Sequence, residues 1–432
     1  MRLDSSRRSG CYPGSSRRAS RVPLGSAFGL GPAPLRAGIF ALGLAACSVS
    51  TPAGDPFPVH VDLTSGPVIA HVARPGEAPI VATVDVLAPF TLIDPGVGED
   101  VERASTELDL FGQATAGSSQ LVERARFSVD LVLLHPCDAM SPACAVGDPG
   151  TPVPIGAVLG ADALGGSAIR FDFAASELFV FPDIAGSNDK RDQECDARFP
   201  GPFRGGGTLV LGGADVDFSG RRIAISACLQ HGAYQEPVEN GGTNALFVVS
   251  TGLGPSIIGT TAYERYAGAG AAAGLPAKSV LLPSGMITGG AGSIERLALV
   301  ANPSKTTAGP CNDLFQSYCL PRESCRNAHM TDYCKSASEC GAPAAIEMKQ
   351  TIDVIVVPDD DPTLQALRAE LRPDQAEVDG ILGVDALRAL ELDVDYPGGR
   401  LLARCVDGST CKARPTLGSG QTPTNSFLDC TK

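Results

Sequence analysis

Apolar residues fall along this chain in many short runs rich in Val and Ile, broken by Gly and Pro, with few long amphipathic stretches. Runs of that size, punctuated by turn residues, predict a mainly β protein. One stretch reads as a helix, Thr363-Leu-Gln-Ala-Leu-Arg-Ala-Glu-Leu371. Asp361 as N-cap and Pro362 in the first turn account for the acidic run Asp359-Asp360-Asp361 without a calcium ion.

The apolar pattern also repeats. Leu159-Gly-Ala-Asp-Ala-Leu164 returns as Leu382-Gly-Val-Asp-Ala-Leu387, 223 residues later. Twelve residues after each glycine stands an Asp between apolar neighbours, Asp172 or Asp395, and eighteen after it stands Leu178 or Leu401. Each copy reads as a strand, a glycine turn, a short helix and a returning hairpin. Gly160 and Gly383 are expected where the backbone packs too tightly for a side chain. Asp162 and Asp385 are expected to cap the short helices, and Asp172 and Asp395 to shape the hairpins. A length of 432 residues exceeds what one core usually serves. The duplication divides it into lobe 1 over 48–190, a linker over 191–205, lobe 2 over 206–410 and a tail over 411–432.

Upstream of the two copies, Phe90-Thr-Leu-Ile-Asp94-Pro95-Gly96 and Leu246-Phe-Val-Val-Ser250-Thr251-Gly252 are both apolar strands ending in a short polar residue, a variable residue and Gly. A strand running into Asp-Thr/Ser-Gly, a hairpin flap and then an apolar-apolar-Gly segment resembles one lobe of the pepsin-like and retropepsin-like aspartic peptidases. The L-G-x-D-A-L form is most similar to the retropepsin-like branch, and the resemblance covers Phe57–Cys405. It implies a two-lobed fold with double-psi β-barrel-type lobes and flap-like strands over Ser105–Leu134. It also implies that Asp94 with Gly96, and Ser250 with Thr251 and Gly252, sit at the symmetric centre. Ser250 precedes Gly383 by 133 residues and Asp94 precedes Gly160 by 66, so lobe 2 is longer by 67. The Cys-rich insertion 301–344 is the obvious excess.

In that family one Asp from each lobe holds a water between them, one protonated to polarise the substrate carbonyl and the other taking the water's proton. A serine at the second position can hold water but cannot be the ionised base. The family's Thr or Ser after each Asp forms a cross-lobe hydrogen-bond grip; Thr251 keeps a hydroxyl and an N–H, whereas Pro95 has neither. The resemblance thus implies a non-catalytic binding or architectural protein, with a peptide or protein ligand between the lobes. The alternative is an active aspartic endopeptidase pairing Asp94 with another carboxylate, Asp100 being one candidate.

Charge and cysteine place the chain. Arg36 precedes the apolar run Ala37–Ala46, which is signal-sized and far too short to span a bilayer. It ends in Leu44-Ala-Ala-Cys47, which resembles a lipobox, so Cys47 is the expected lipid attachment and membrane contact. Ser48 after it tilts the expectation to the outer membrane of a bacterial cell envelope. Net charge is -14; with seven Arg against the single Asp4 in residues 1–46, the remainder is near -20, which argues against nucleic acid as a partner. Twelve cysteines follow Cys47: Cys137, Cys144, Cys195, Cys228, Cys311, Cys319, Cys325, Cys334, Cys340, Cys405, Cys411 and Cys430. An even set in an exported chain reads as disulfides. Five lie in the insertion, so one of them is expected to bond outside it, with Cys405, Cys411 or Cys430. Cys137–Cys144 and Cys195–Cys228 are further candidate pairs. With no C-x-x-C spacing around His329 and no metal-pair spacing among His60, His71, His135 and His231, neither a metal nor another cofactor is expected.

Overall fold

The computed structural model describes residues 59–63, 66–94, 102–115, 118–133, 145–181, 197–200, 203–211, 214–231, 243–283, 285–300, 345–370, 378–406, 408 and 410–414. Cys47 with its leader, the insertion 301–344, and Cys137, Cys144, Cys195 and Cys430 lie outside them.

Each half is built from the same interlocked strands. In the first, Ile69–Ala73 and Ile80–Val84 form an antiparallel hairpin with Ile69 opposite Thr83. Leu92–Ile93 runs parallel to the end of Leu121–Leu133 and antiparallel to Ala157–Leu159. Ala157–Leu159 then runs parallel to Ile80–Val84, Val84 opposite Leu159. In the second half, Ala224–Gln230 and Thr243–Val249 form the hairpin. Ser256–Gly259 runs parallel to Ile352–Val357 and antiparallel to Gly380–Leu382. Gly380–Leu382 runs parallel to Thr243–Val249, Val249 opposite Leu382. This is a mainly β, two-lobed aspartic-peptidase-like fold with double-psi β-barrel-type lobes.

The strand runs that pair this way are apolar on both faces, and burial follows: Val84, Leu159, Phe247 and Val249 have no exposed surface. Each such side chain contributes roughly 1.5–3 kcal/mol on leaving water. Gly160 and Gly383 sit where expected. A Cβ on Gly160 would stand 2.0 Å from the Phe90 carbonyl oxygen, and one on Gly383 2.4 Å from that of Pro255. Glu102–Gln113 and Leu121–Leu133 form the flap-like hairpin of the first half. In the second, Ala277–Leu282 and Gly285–Ile294 do so, and Leu281 exchanges both backbone hydrogen bonds with Gly147 of the first half, at 2.9 and 3.1 Å.

The two duplicated hairpins meet each other. Ala168–Asp172 pairs antiparallel with Leu390–Asp395, Arg170 facing Asp393, and these are the same position of the two copies. Arg170 reaches Asp393 at 3.1 Å and Glu391 at 3.3 Å, and Arg404 also pairs with Glu391. Both acids are buried, so the arginines supply the partner a buried carboxylate requires.

Several polar expectations are settled by these contacts. Asp172 accepts the Ala175 N–H at 2.9 Å and Asp395 the Gly398 N–H at 2.7 Å, as hairpin residues do. Asp361 accepts the Thr363 N–H at 2.9 Å ahead of the helix Pro362–Glu370. Asp162 and Asp385 are not N-caps: Gly160 and Gly383 hold that position in extended conformation, with no side-chain cap. The aspartates lie inside the first turn instead. Asp162 accepts the Thr91 hydroxyl at 2.6 Å, and Asp385 takes the Arg388 guanidinium at 3.0 Å. Cys405 bonds Cys411 across six residues, so neither is free to take an insertion cysteine. The strands Arg400–Cys405 and Cys411–Arg414 bring them to a Cα separation of 5.8 Å. Cys228 is disulfide-bonded.

Candidate functional site

Two strand ends meet at the pseudo-two-fold centre. Asp85 follows Ile80–Val84, and its N–H donates to Leu159 at 3.0 Å; Ser250 follows Thr243–Val249, and its N–H donates to Leu382 at 2.9 Å. Six residues later, Thr91 and Ser256 each accept an N–H through the hydroxyl, from Gly160 at 3.2 Å and from Gly383 at 3.1 Å. These paired contacts make Asp85 the symmetric counterpart of Ser250.

The two side chains touch. Ser250 Oγ donates to Asp85 Oδ1 at 2.9 Å, and the same oxygen accepts the N–H groups of Thr251 at 3.1 Å and Leu87 at 2.9 Å. Gly252 makes the approach possible, since a Cβ there would lie 2.7 Å from the Asp85 carboxyl atoms. Thr251, with no exposed surface, donates its hydroxyl to the Val84 carbonyl at 2.6 Å and accepts the Val86 N–H at 3.1 Å. One half of a cross-lobe grip is therefore built. The reciprocal half has no hydroxyl to make it, because Val86 stands where Thr251 stands in the other lobe.

The Asp-Pro-Gly motif points to Asp94 at this centre, but the residue that faces Ser250 is Asp85. Asp94 ends Leu92–Ile93, nine residues further on, where its N–H donates to Gly156 at 2.9 Å. Pro95, Gly96 and Asp100 lie outside the described residues. Ser250, Thr251 and Gly252 occupy the lobe 2 side of the centre. Asp85 escaped because Asp85-Val86-Leu87 keeps neither the hydroxyl nor the glycine of the expected motif, while Asp94-Pro95-Gly96 keeps the glycine. A usable signal was present nonetheless. Thr91-Leu92-Ile93 and Ser256-Ile257-Ile258 each begin six residues after the central position.

Electrostatically the centre is one carboxyl group in a crowd of donors. Burial pushes the Asp85 carboxyl upward, against the Leu87 and Gly252 N–H groups, the Ser250 hydroxyl and the charge of Arg222. Arg222 is itself buried and held by Glu370 at 2.9–3.0 Å. Such a group can accept hydrogen bonds or carry a proton, but Ser250 is not a second acid with which to share one. Among the described residues, no cluster of three or more His, Cys, Asp or Glu is placed to hold a metal ion.

No family model and no curated protein matches the chain. Among solved structures it is similar to the aspartic proteinase from Irpex lacteus, at 11% identity over 85% of this chain and 99% of that one, with a TM-score of 0.32. It is also similar to Basic 7S globulin from soybean, at 12% identity over 81% of this chain and 94% of that one, with a TM-score of 0.37.

Proposed function

We propose that this chain is a lipid-anchored envelope protein that uses an aspartic-peptidase-like fold to bind a peptide or protein segment without cleaving it. The observation that carries the reading is the Ser250 hydroxyl donating to Asp85 at 2.9 Å, where a peptidase needs a second carboxylate. Water attack on an amide calls for one group to take a proton and another to give one. Asp85 can do either, but not both at once, and a serine hydroxyl has no accessible acidity to supply the other. Lobe 2 keeps the Thr251 contacts that hold the centre together, so the centre stays built although its second acid is missing.

The test is incubation of the chain with unfolded protein substrates from acid to neutral pH, alongside calorimetry with a peptide library. No cleavage and saturable peptide binding are expected. Pepstatin-sensitive cleavage that disappears in Asp85→Asn refutes the reading, and absence of any binding peptide refutes its recognition half. Ser250→Asp is the complementary variant, expected to introduce acid-dependent cleavage if the missing carboxylate is the only defect. Anchoring is tested separately: labelled palmitate incorporation is expected in the wild type and lost in Cys47→Ala.

A further inference from the structure

The flap-like hairpin of the second half has one strand longer than the other, and a cavity lies where the shorter one stops. Ala277–Leu282 pairs with Gly285–Ile294 from Leu282 opposite Gly285 to Ala277 opposite Gly290. The longer strand runs on to Ile294, held on its other side by Ile352–Val357, with Ser293 opposite Asp353. The Ala291 N–H turns to the uncovered side and donates to the Pro276 carbonyl at 2.7 Å. Backbone groups of alternate residues face the same edge of an antiparallel strand, so the N–H and C=O of Ser293 face that side too. There they border a cavity of about 310 Å³, at the small end of ligand pockets.

The cavity has two kinds of wall. Tyr263, from the helix Thr260–Ala267, and Leu275 line it on one face of the strand. They come close because that face carries glycine: a Cβ on Gly292 would stand 3.0 Å from the Tyr263 ring, and one on Gly290 2.7 Å from Leu275. Lys278 and Asp353 line it from the opposite face, since they stand across from Gly289 and Ser293 and side chains alternate along a strand. Lys278 Nζ lies 3.8 Å from Asp353 Oδ2, attracted to it but beyond hydrogen-bonding distance, so both keep their capacity for a third group.

We propose that this cavity binds a free α-amino acid with an apolar side chain. Such a molecule carries a carboxylate and an ammonium on one carbon at neutral pH. The carboxylate meets Lys278 and the Ser293 N–H, the ammonium meets Asp353 and the Ser293 C=O, and the side chain lies against Leu275 and Tyr263. Each charged group of the ligand thus finds an opposite charge and a backbone partner, as a zwitterion leaving water requires. A ligand with a single charge answers only half of the Lys278–Asp353 pair. The inference does not depend on the peptide-binding reading, because the cavity uses neither Asp85 nor Ser250.

The experiment is calorimetric titration of the full chain with leucine, isoleucine, valine and phenylalanine. Saturable binding of at least one is expected, and its N-acetyl and amide derivatives, each lacking one charge, are expected to bind about tenfold more weakly or worse. Lys278→Met and Asp353→Asn are each expected to weaken the free amino acid by a similar factor. Their side chains are 36% and 70% exposed, and an exposed ion pair contributes little to stability, so both variants stay folded. No saturable binding of any of the four up to about 10 mM overturns the proposal, as does binding that either substitution or either blocked derivative leaves unchanged.

Discussion

Removing the Thr251 hydroxyl tests the cross-lobe grip directly. Thr251→Val keeps shape and volume while deleting one donor and one acceptor, so no cavity opens and the cost is that of the hydrogen bonds. Two are lost: donation to the Val84 carbonyl at 2.6 Å and acceptance from the Val86 N–H at 3.1 Å. Both span the lobes, and Val84, Val86 and Thr251 have no exposed surface through which water could take over. At about 1–3 kcal/mol for each of the two buried groups left unsatisfied, the loss is about 2–6 kcal/mol. Thr251→Ser retains both bonds and removes one methyl, about 1 kcal/mol. Urea unfolding followed by near-ultraviolet circular dichroism measures both variants, with the denaturant slope checked against wild type so that midpoints compare fairly. A Thr251→Val change below about 0.5 kcal/mol, or a larger loss in Thr251→Ser than in Thr251→Val, refutes the grip as a stabilising contact.

Other predictions concern the glycine turns and the central acid. Gly160→Ala and Gly383→Ala are each expected to destabilise by about 3 kcal/mol or more, since the new methyl group would overlap carbonyl oxygens at 2.0 and 2.4 Å; Gly166→Ala, where nothing lies within 4 Å, is the neutral control in thermal melts. Asp85, whose pKa burial raises in the fold, binds its proton more tightly folded than unfolded. Its contribution to stability is therefore full below the unfolded value, near 3.9, and declines as pH rises through the folded value. Asp85→Asn is expected to flatten that part of the stability profile, and an unchanged slope in denaturation series across pH counts against the buried acid.

Much of the fold was legible because the duplication writes the same packing problem twice. A glycine forced by carbonyl oxygens on all sides leaves few alternatives, so Gly160 and Gly383 anchored the comparison, and Asp172 and Asp395 followed at a fixed distance. The centre was half legible. Ser250-Thr251-Gly252 keeps the residues its contacts need, but on the other side the grip requires only the Val86 N–H, which every residue except proline provides. Backbone contacts leave no mark on side-chain identity, and Asp85 was hidden for that reason. Nor does composition say which aspartate enters a helix turn and which precedes it, so Asp162 has the residue type of a cap but stands inside the first turn.

Arg170 and Asp393 carry a consequence for how the halves depend on one another. They are one ancestral position, and they face each other across the axis. Were either half to pair with a copy of itself, that axis would set arginine against arginine or aspartate against aspartate in a buried sheet, a like-charge contact with no countercharge opposite. Opposite charges at a self-facing site therefore favour the pairing of unlike halves over that of like ones, and the symmetry the duplication created is broken at the very place where it would permit self-association.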